Sequence, residues 1–190
     1  ILNIFNKWPK WEKNFLNIYG EKNSGKTHLA SIFLKKSKSK NIDAYSFNNE
    51  SLNDIKIYEN IVLDNFDENI NQRLTYSLFN IIDQDNKYLI INSLKPINKI
   101  NFELEDLKSR INNCLFAKIE KPDDELMFAL ILKNLSDRQI LIDKKLIDFI
   151  IKRIDRSYSK ISEFIYKIDE ISLKKKKPID LKTIKEVLKV

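Results

Sequence analysis

The sequence predicts an α/β fold, a five-stranded parallel sheet with helices on both faces, followed by a small all-helical domain. Three observations carry this reading. Short apolar runs recur at Phe15 to Tyr19, Ala44 to Phe47, Asn60 to Leu63, Tyr88 to Ile91 and Leu115 to Ile119, as strands buried on both faces do. Helix-length segments separate them, and strands alternating with helices imply parallel pairing with crossovers that cover the sheet. After Glu120 the strand signal ends, which divides the chain into residues 1–120 and 121–190.

The first strand, Phe15 to Tyr19, is followed by a helix over Lys26 to Lys38 with Leu29, Ile32 and Phe33 on one face. Ala44 to Phe47 is read as the second strand and Asn60 to Leu63 as the third, which ends on Asp64. A helix over Ile70 to Asp83 places Leu74, Leu78, Ile81 and Ile82 at three-to-four spacing. The fourth strand leads into Asn92-Ser93, and the fifth is Leu115 to Ile119. Pro122 followed by Asp123, Asp124 and Glu125 opens the helical part, with proline in the first turn and acids at the positive end of the dipole. Helices are expected at about 123–135, 143–153, 159–173 and 180–189, with Pro178 in the last gap. All four prolines (Pro9, Pro96, Pro122, Pro178) fall where an element begins or ends.

Composition excludes several classes. A chain of 190 residues is too short for a large multidomain enzyme, and 43% hydrophobic residues exclude general disorder. One cysteine, Cys114, cannot form an internal disulfide, and with a single histidine it cannot form an ordinary zinc site. A reducing, cytoplasmic setting follows. The longest apolar run, Leu126 to Leu132, is far shorter than the ~20 residues a membrane span needs, and no charged-then-apolar leader opens the chain. The sequence opens on Ile, so an N-terminal segment is expected upstream. Ile, Lys and Asn are heavily enriched, as AT-rich coding would enrich them, so the net charge of +7 is not by itself a nucleic-acid footprint. The charge is also split, with basic first and last stretches and an acidic middle.

Both glycines of the chain lie in one motif. Gly20-Glu21-Lys22-Asn23-Ser24-Gly25-Lys26-Thr27 matches G-x-x-x-x-G-K-[ST] between a strand and a helix. Such a loop wraps phosphate: Gly20 and Gly25 permit backbone conformations and close approaches, and successive N–H groups with the helix N-terminus face the anion. Lys26 reaches the β and γ oxygens and Thr27 ligates Mg²⁺, with His28 beside them in the first helical turn. The loop from Gly20 to His28 is thus the candidate binding set for ADP or ATP. Asp64, at the end of the third strand, is the carboxylate that holds Mg²⁺ through water. The next position, where many hydrolysing proteins carry a second acid, is Asn65. Asn can orient a water but cannot take its proton, so slow intrinsic hydrolysis is expected. Asp67 is the nearby acid that could substitute.

With these residues in place, the chain resembles the AAA+ core of the DnaA initiator family, and within it the short Hda branch, over nearly its whole length. Gly25-Lys-Thr-His-Leu29 looks like the family's phosphate loop and Leu63-Asp-Asn-Phe66 like Hda's Walker B. Asn92-Ser93 with Lys95-Pro96 is similar to the sensor-1 strand end, Leu107-Lys-Ser-Arg110 to the box VII segment, and Ile154-Asp-Arg156 to sensor 2. Ile184-Lys-Glu-Val-Leu188 looks like the closing helix, and Trp8-Pro-Lys-Trp11 suggests the alphaproteobacterial branch. The resemblance implies a regulator that, with the DNA-loaded sliding clamp, makes ATP-bound DnaA hydrolyse its nucleotide and so limits initiation. It implies ADP in the active form, a clamp contact through an upstream N-terminal segment and possible homo-oligomers. Arg110 would be an arginine finger supplied in trans, and Arg156 would reach the chain's own nucleotide from the helical lid together with Asn92. DnaA continues into a helix-turn-helix domain whereas this sequence stops at Val190, so no sequence-specific DNA binding is expected.

The alternatives are an autonomous ATPase such as a helicase loader, and a DNA-binding initiator fragment. Individual residues have plainer readings too. Arg110 could satisfy helix-end carbonyls, and Arg156 could pair with Asp155 or Asp169 on the surface. Trp8 and Trp11 are read as packing, His28 as structural, Cys114 as a small buried apolar residue and Lys174 to Lys177 as a solvated helix end.

Overall fold

The computed structural model of the chain describes residues 2–35, 38–175 and 179–189. Pro178 and the end of the lysine run, Lys176 and Lys177, lie outside the described residues. The chain divides into two compact units, Ile1–Ile119 and Glu120–Val190.

In the first unit β1 (Phe15–Tyr19), β2 (Ser39–Asp43), β3 (Asn60–Phe66), β4 (Tyr88–Ser93) and β5 (Leu115–Lys118) form one parallel sheet in the order β2-β3-β4-β1-β5. The continuous apolar runs follow from burial on both faces. Phe15, Ile61, Leu63, Leu89 and Ile91 face one side, against Ile55 of α3 (Asn49–Ile55), Leu78, Phe79 and Ile82 of α4 (Gln72–Gln84), and Leu107 and Ile111 of α5 (Glu105–Asn112). The alternate residues Leu16, Ile18, Val62, Ile90 and Ala117 pack with Phe5 of α1 (Leu2–Lys7) and Ala30 and Phe33 of α2 (Lys26–Leu34). Trp8 and Trp11 belong to this second layer, ring against ring with Phe33 and Tyr88.

Two expected elements are corrected. The second strand is Ser39–Asp43, and Ala44–Ser46 is a 3₁₀ turn. The apolar run misled because Asp43 turns the chain locally: its carboxylate accepts the Tyr45 N–H at 2.9 Å, and the Ser46 hydroxyl donates to its carbonyl at 3.1 Å. The true strand reads Ser-Lys-Asn-Ile-Asp because it is the sheet edge, where polar residues guard against further pairing. For the same reason α2 ends at Leu34 rather than Lys38: the chain must already be extended at Ser39. The short helices α1 and α3 carried too few apolar repeats to be read. Asn48 nonetheless builds a capping box with Ser51 on α3.

The second unit is four helices, α6 (Asp124–Asp137), α7 (Lys144–Ile151), α8 (Tyr158–Lys175) and α9 (Leu181–Leu188). Asp123, Asp143 and Asp180 cap α6, α7 and α9 by accepting N–H groups of their first turns. Met127, Ile131, Ile147, Ile150, Ile161, Phe164, Ile168 and Ile184 form the core of this unit. No helix of the described residues is long and apolar enough to cross a membrane.

One buried polar residue locks the first unit. Asn17, fully buried in β1, donates to the Ile91 carbonyl and the Ser93 hydroxyl, both at 2.9 Å, and accepts the Ile97 N–H at 3.1 Å. Ser93 Oγ in turn donates to the Lys95 carbonyl at 2.6 Å. Asn17→Ala is expected to lower the unfolding free energy by about 2–4 kcal/mol, since several buried groups lose partners at once; chemical denaturation measures it.

Candidate nucleotide-binding site

The strand order places β4 between β1 and β3, so the carboxyl ends of these three strands carry the loop after Tyr19, Asp64 and Asn92 side by side. Crevices at such strand ends are where open parallel sheets hold ligands.

The two glycines serve different purposes. Gly25 has φ +88° with open space where a Cβ would stand, so its requirement is conformational. Gly20 has no such φ, but a Cβ there would lie 3.0 Å from Ile119 Cβ and 3.2 Å from its carbonyl oxygen. The close approach expected at Gly20 is therefore to the chain just beyond β5. Asn23 also takes a left-handed conformation, at φ +65°.

Gly25 leads into α2 without a side-chain cap, and the first turn of α2 carries no acid. The first N–H groups of a helix have no partners within it, and here neither a cap nor an acid competes with an external anion for them. Lys26 Nζ folds back onto the Gly20 and Glu21 carbonyls at 2.8 Å each. Burial pushes its pKa below the ordinary lysine value of 10.5, opposed by the nearby carboxylates of Asp64 and Glu21. Lys22, Thr27 and His28 are exposed on the loop and the first turn, and Ser24 is buried with its hydroxyl unpartnered.

Asp64 is buried at the end of β3. Its Oδ1 accepts the Asn65 N–H at 3.0 Å and the Asn92 amide at 3.3 Å. Asn92 is fully buried, and its own Oδ1 has no donor. This unpartnered acceptor beside a buried carboxylate fits a hydrated Mg²⁺ or a phosphate-bound water. Asp64 and the Thr27 hydroxyl would hold the ion, which supplies charge neutralisation to the phosphoryl oxygens. Among the described residues no group of three or more His, Cys, Asp or Glu could cage a metal. An ion bound chiefly through phosphates and water needs no such cage.

Asn65 takes a left-handed conformation (φ +58°) and donates its amide to Asp43 Oδ2 at 2.6 Å. Its side chain is thereby committed to the edge strand. Asp67 is no better as a base: burial raises its pKa, but hydrogen bonds from the Tyr45 hydroxyl (2.7 Å) and the Asn69 N–H outweigh it and hold the carboxyl below its usual range.

Arg110 lies in the last turn of α5, on the sheet face opposite α2, in an ion pair with Asp83 at the end of α4. Arg156, in the second unit, pairs with Asp124 at 3.0 Å, while Asp169 pairs with Arg138; the surface ion pair offered as its plainer reading is present, with Asp124 in place of Asp155 or Asp169. Cys114 is buried, its thiol pushed up to about 12 by desolvation, as an inert apolar residue would be. Lys174 pairs with Glu170 at 2.6 Å.

Sequence reasoning missed Asn17, Asp43 and Asp83. Only Asn17 left a signal, a lone polar residue inside an apolar strand.

No family profile matches the chain. It is 28% identical over 204 aligned residues to the chromosomal replication initiator protein DnaA of a Thermoanaerobacter species, covering 95% of this chain and 46% of that protein. The chain thus spans about half the length of the curated relatives it matches. Domain III of the Thermotoga maritima initiator DnaA superposes with a TM-score of 0.77 at 22% identity, over 99% of this chain and 88% of the other. A DnaA bound to AMPPCP and single-stranded DNA gives a TM-score of 0.66 at 23% identity, over 86% of this chain and 58% of the other. The fold is that of the AAA+ proteins, a five-stranded parallel sheet with helices on both faces and a helical C-terminal part.

Proposed function

We propose that this chain is a nucleotide-binding AAA+ regulator that acts on a second nucleotide-binding protein of the DnaA type, presenting Arg110 to the partner's bound ATP and accelerating its hydrolysis. One observation carries the reading. The chain's own site has the phosphate loop, Lys26 and Asp64 but an Asn65 turned onto Asp43, while Arg110 stands on the opposite face of the sheet with about a third of its side chain (36%) exposed. The cradle holds a nucleotide and the arginine serves another molecule's. ADP or ATP with Mg²⁺ on Thr27 and Asp64 is the resident ligand; the AMPPCP bound to a DnaA of like fold supports this. Asn92 is the polar side chain that meets the attacking water or the phosphate. The sliding clamp on DNA completes the negative regulation of initiation in the cytoplasm.

A second reading, the AAA+ segment of an initiator itself, is supported by the identity to DnaA proteins. Single-turnover hydrolysis of ATP pre-bound to DnaA, with clamp, DNA and this chain, separates the two. Acceleration supports the regulator. Absence of acceleration, with nucleotide-dependent assembly on single-stranded DNA, supports the initiator segment. By itself the chain is expected to turn over ATP slowly, on the order of 10⁻² s⁻¹ or below, because the position beside Asp64 is Asn65, which cannot take a proton and whose amide is spent on Asp43. Fast steady-state release of phosphate would contradict this.

A further inference from the structure

We propose that Asp83 is the positioning residue of Arg110, a proposal that rests on the reading of Arg110 as a finger for another molecule's phosphates. An arginine on a helix end has four rotatable side-chain bonds and loses about 2 kcal/mol of rotamer freedom when held in one place. A finger left free would meet that cost at the moment of reaction. Here it is already met within the chain, because Arg110 Nη1 is bound to Asp83 Oδ2.

The two residues stand on a rigid support. Asp83 belongs to the last turn of α4 and Arg110 to the last turn of α5. Between them Leu78, Ile82, Leu107 and Ile111 are buried to within 1% of completely. The end of α5 is tied down as well, since the Arg110 carbonyl accepts the Asn113 N–H at 3.0 Å. Both side chains keep about a third of their surface exposed (36% and 34%), so solvent screens the pair and it adds little to stability. Its value lies in direction.

The contact also leaves the functional edge of the guanidinium available. A phosphoryl group is gripped by two parallel N–H donors, from Nε and one Nη or from both Nη atoms. Asp83 engages Nη1, and among the described residues the Nε–Nη2 edge has no acceptor. Asp83 therefore holds one side of the plane and leaves the other without a partner among the described residues, so the pair need not break for the arginine to act. Sequence could not show this, because the two residues are 27 positions apart on different helices.

The test uses the full chain, ATP-loaded DnaA, DNA-loaded clamp and four variants. Asp83→Ala is expected to lower the maximal stimulated rate by about 10- to 100-fold, the loss typical of a misplaced catalytic group, with the half-maximal concentration unchanged. Asp83→Asn, whose carbonyl still accepts from Nη1, should stay within ~3-fold of the parent. Free guanidinium ion should restore part of the activity of Arg110→Ala, and adding Asp83→Ala should remove that rescue. An Asp83→Ala protein as active as the parent per folded molecule, or a guanidinium rescue indifferent to Asp83, would overturn the proposal. The two readings fail differently. If Arg110→Ala stimulates like the parent, the finger itself is wrong; if Arg110→Ala is inactive and Asp83→Ala is not, only the positioning role is.

Discussion

Arg110→Ala is expected to reduce stimulated hydrolysis of the partner's ATP by about 10³-fold or more, within the 10³–10⁵ range of arginines supplied in trans. The size follows from the chemistry. Phosphoryl transfer needs charge stabilisation on the equatorial oxygens rather than covalent help, and a planar donor fork supplies it where water cannot. Arg110→Lys should be nearly as inactive, since an ammonium matches the charge but not the two-point geometry. In a chain with five arginines among 34 cations the distinction is pointed. The variant should fold: its partner Asp83 is a third exposed, and losing such a pair costs at most about 1 kcal/mol. It should also bind its own nucleotide with parental affinity, because α5 packs on the face of the sheet opposite α2. Single-turnover phosphate release, with nucleotide binding by the chain as control, reads both effects.

What the sequence disclosed depended on whether burial or long-range pairing decided the structure. The phosphate loop was legible because strand, loop and helix are contiguous and its demands fall on residue types: both glycines, a lysine and a threonine. Strands β1, β3, β4 and β5 were legible because each carries a short run of apolar residues, buried or half-buried in the sheet. The edge strand was not, since Ser39–Asp43 is polar for the reason that makes it an edge, and the apolar run beside it belongs to a turn set by Asp43. The helical tail announced itself through the end of the strand signal after Glu120 and the helix start at Pro122 to Glu125, while the capping roles of Asp123, Asp143 and Asp180 came only with the structure. Interactions between distant polar residues left no trace. Asn65 was recognised as the residue replacing an acid, but not that its amide is spent on Asp43, a partner 22 residues earlier on the neighbouring strand. Likewise Arg156 was singled out by pattern, and its pairing with Asp124 required the fold of the second unit.

Lys26→Ala is expected to weaken nucleotide binding by on the order of 10²-fold, the equivalent of losing charge-assisted bonds to two phosphate oxygens. The structure adds a pH dependence to that expectation. Without ligand the ammonium bonds only to carbonyls and is partly desolvated, which lowers its pKa from 10.5 despite Asp64 and Glu21. A phosphate chain within reach stabilises the charged form and raises the pKa again. Binding is therefore linked to proton uptake between the two values. Affinity is full below the pKa of the free protein and falls as pH rises from it towards that of the complex, so the decline should begin at lower pH than an ordinary lysine would give. Lys26→Arg keeps its charge at every accessible pH and should lose this alkaline decline, while its bulkier fork, unsuited to the two carbonyls that seat Nζ, weakens binding overall. Titrating a fluorescent ADP analogue against parent and variants over the alkaline range measures each component. A parent whose affinity tracks that of Lys26→Arg through the same range would mean that Lys26 stays charged throughout and that burial has not lowered its pKa.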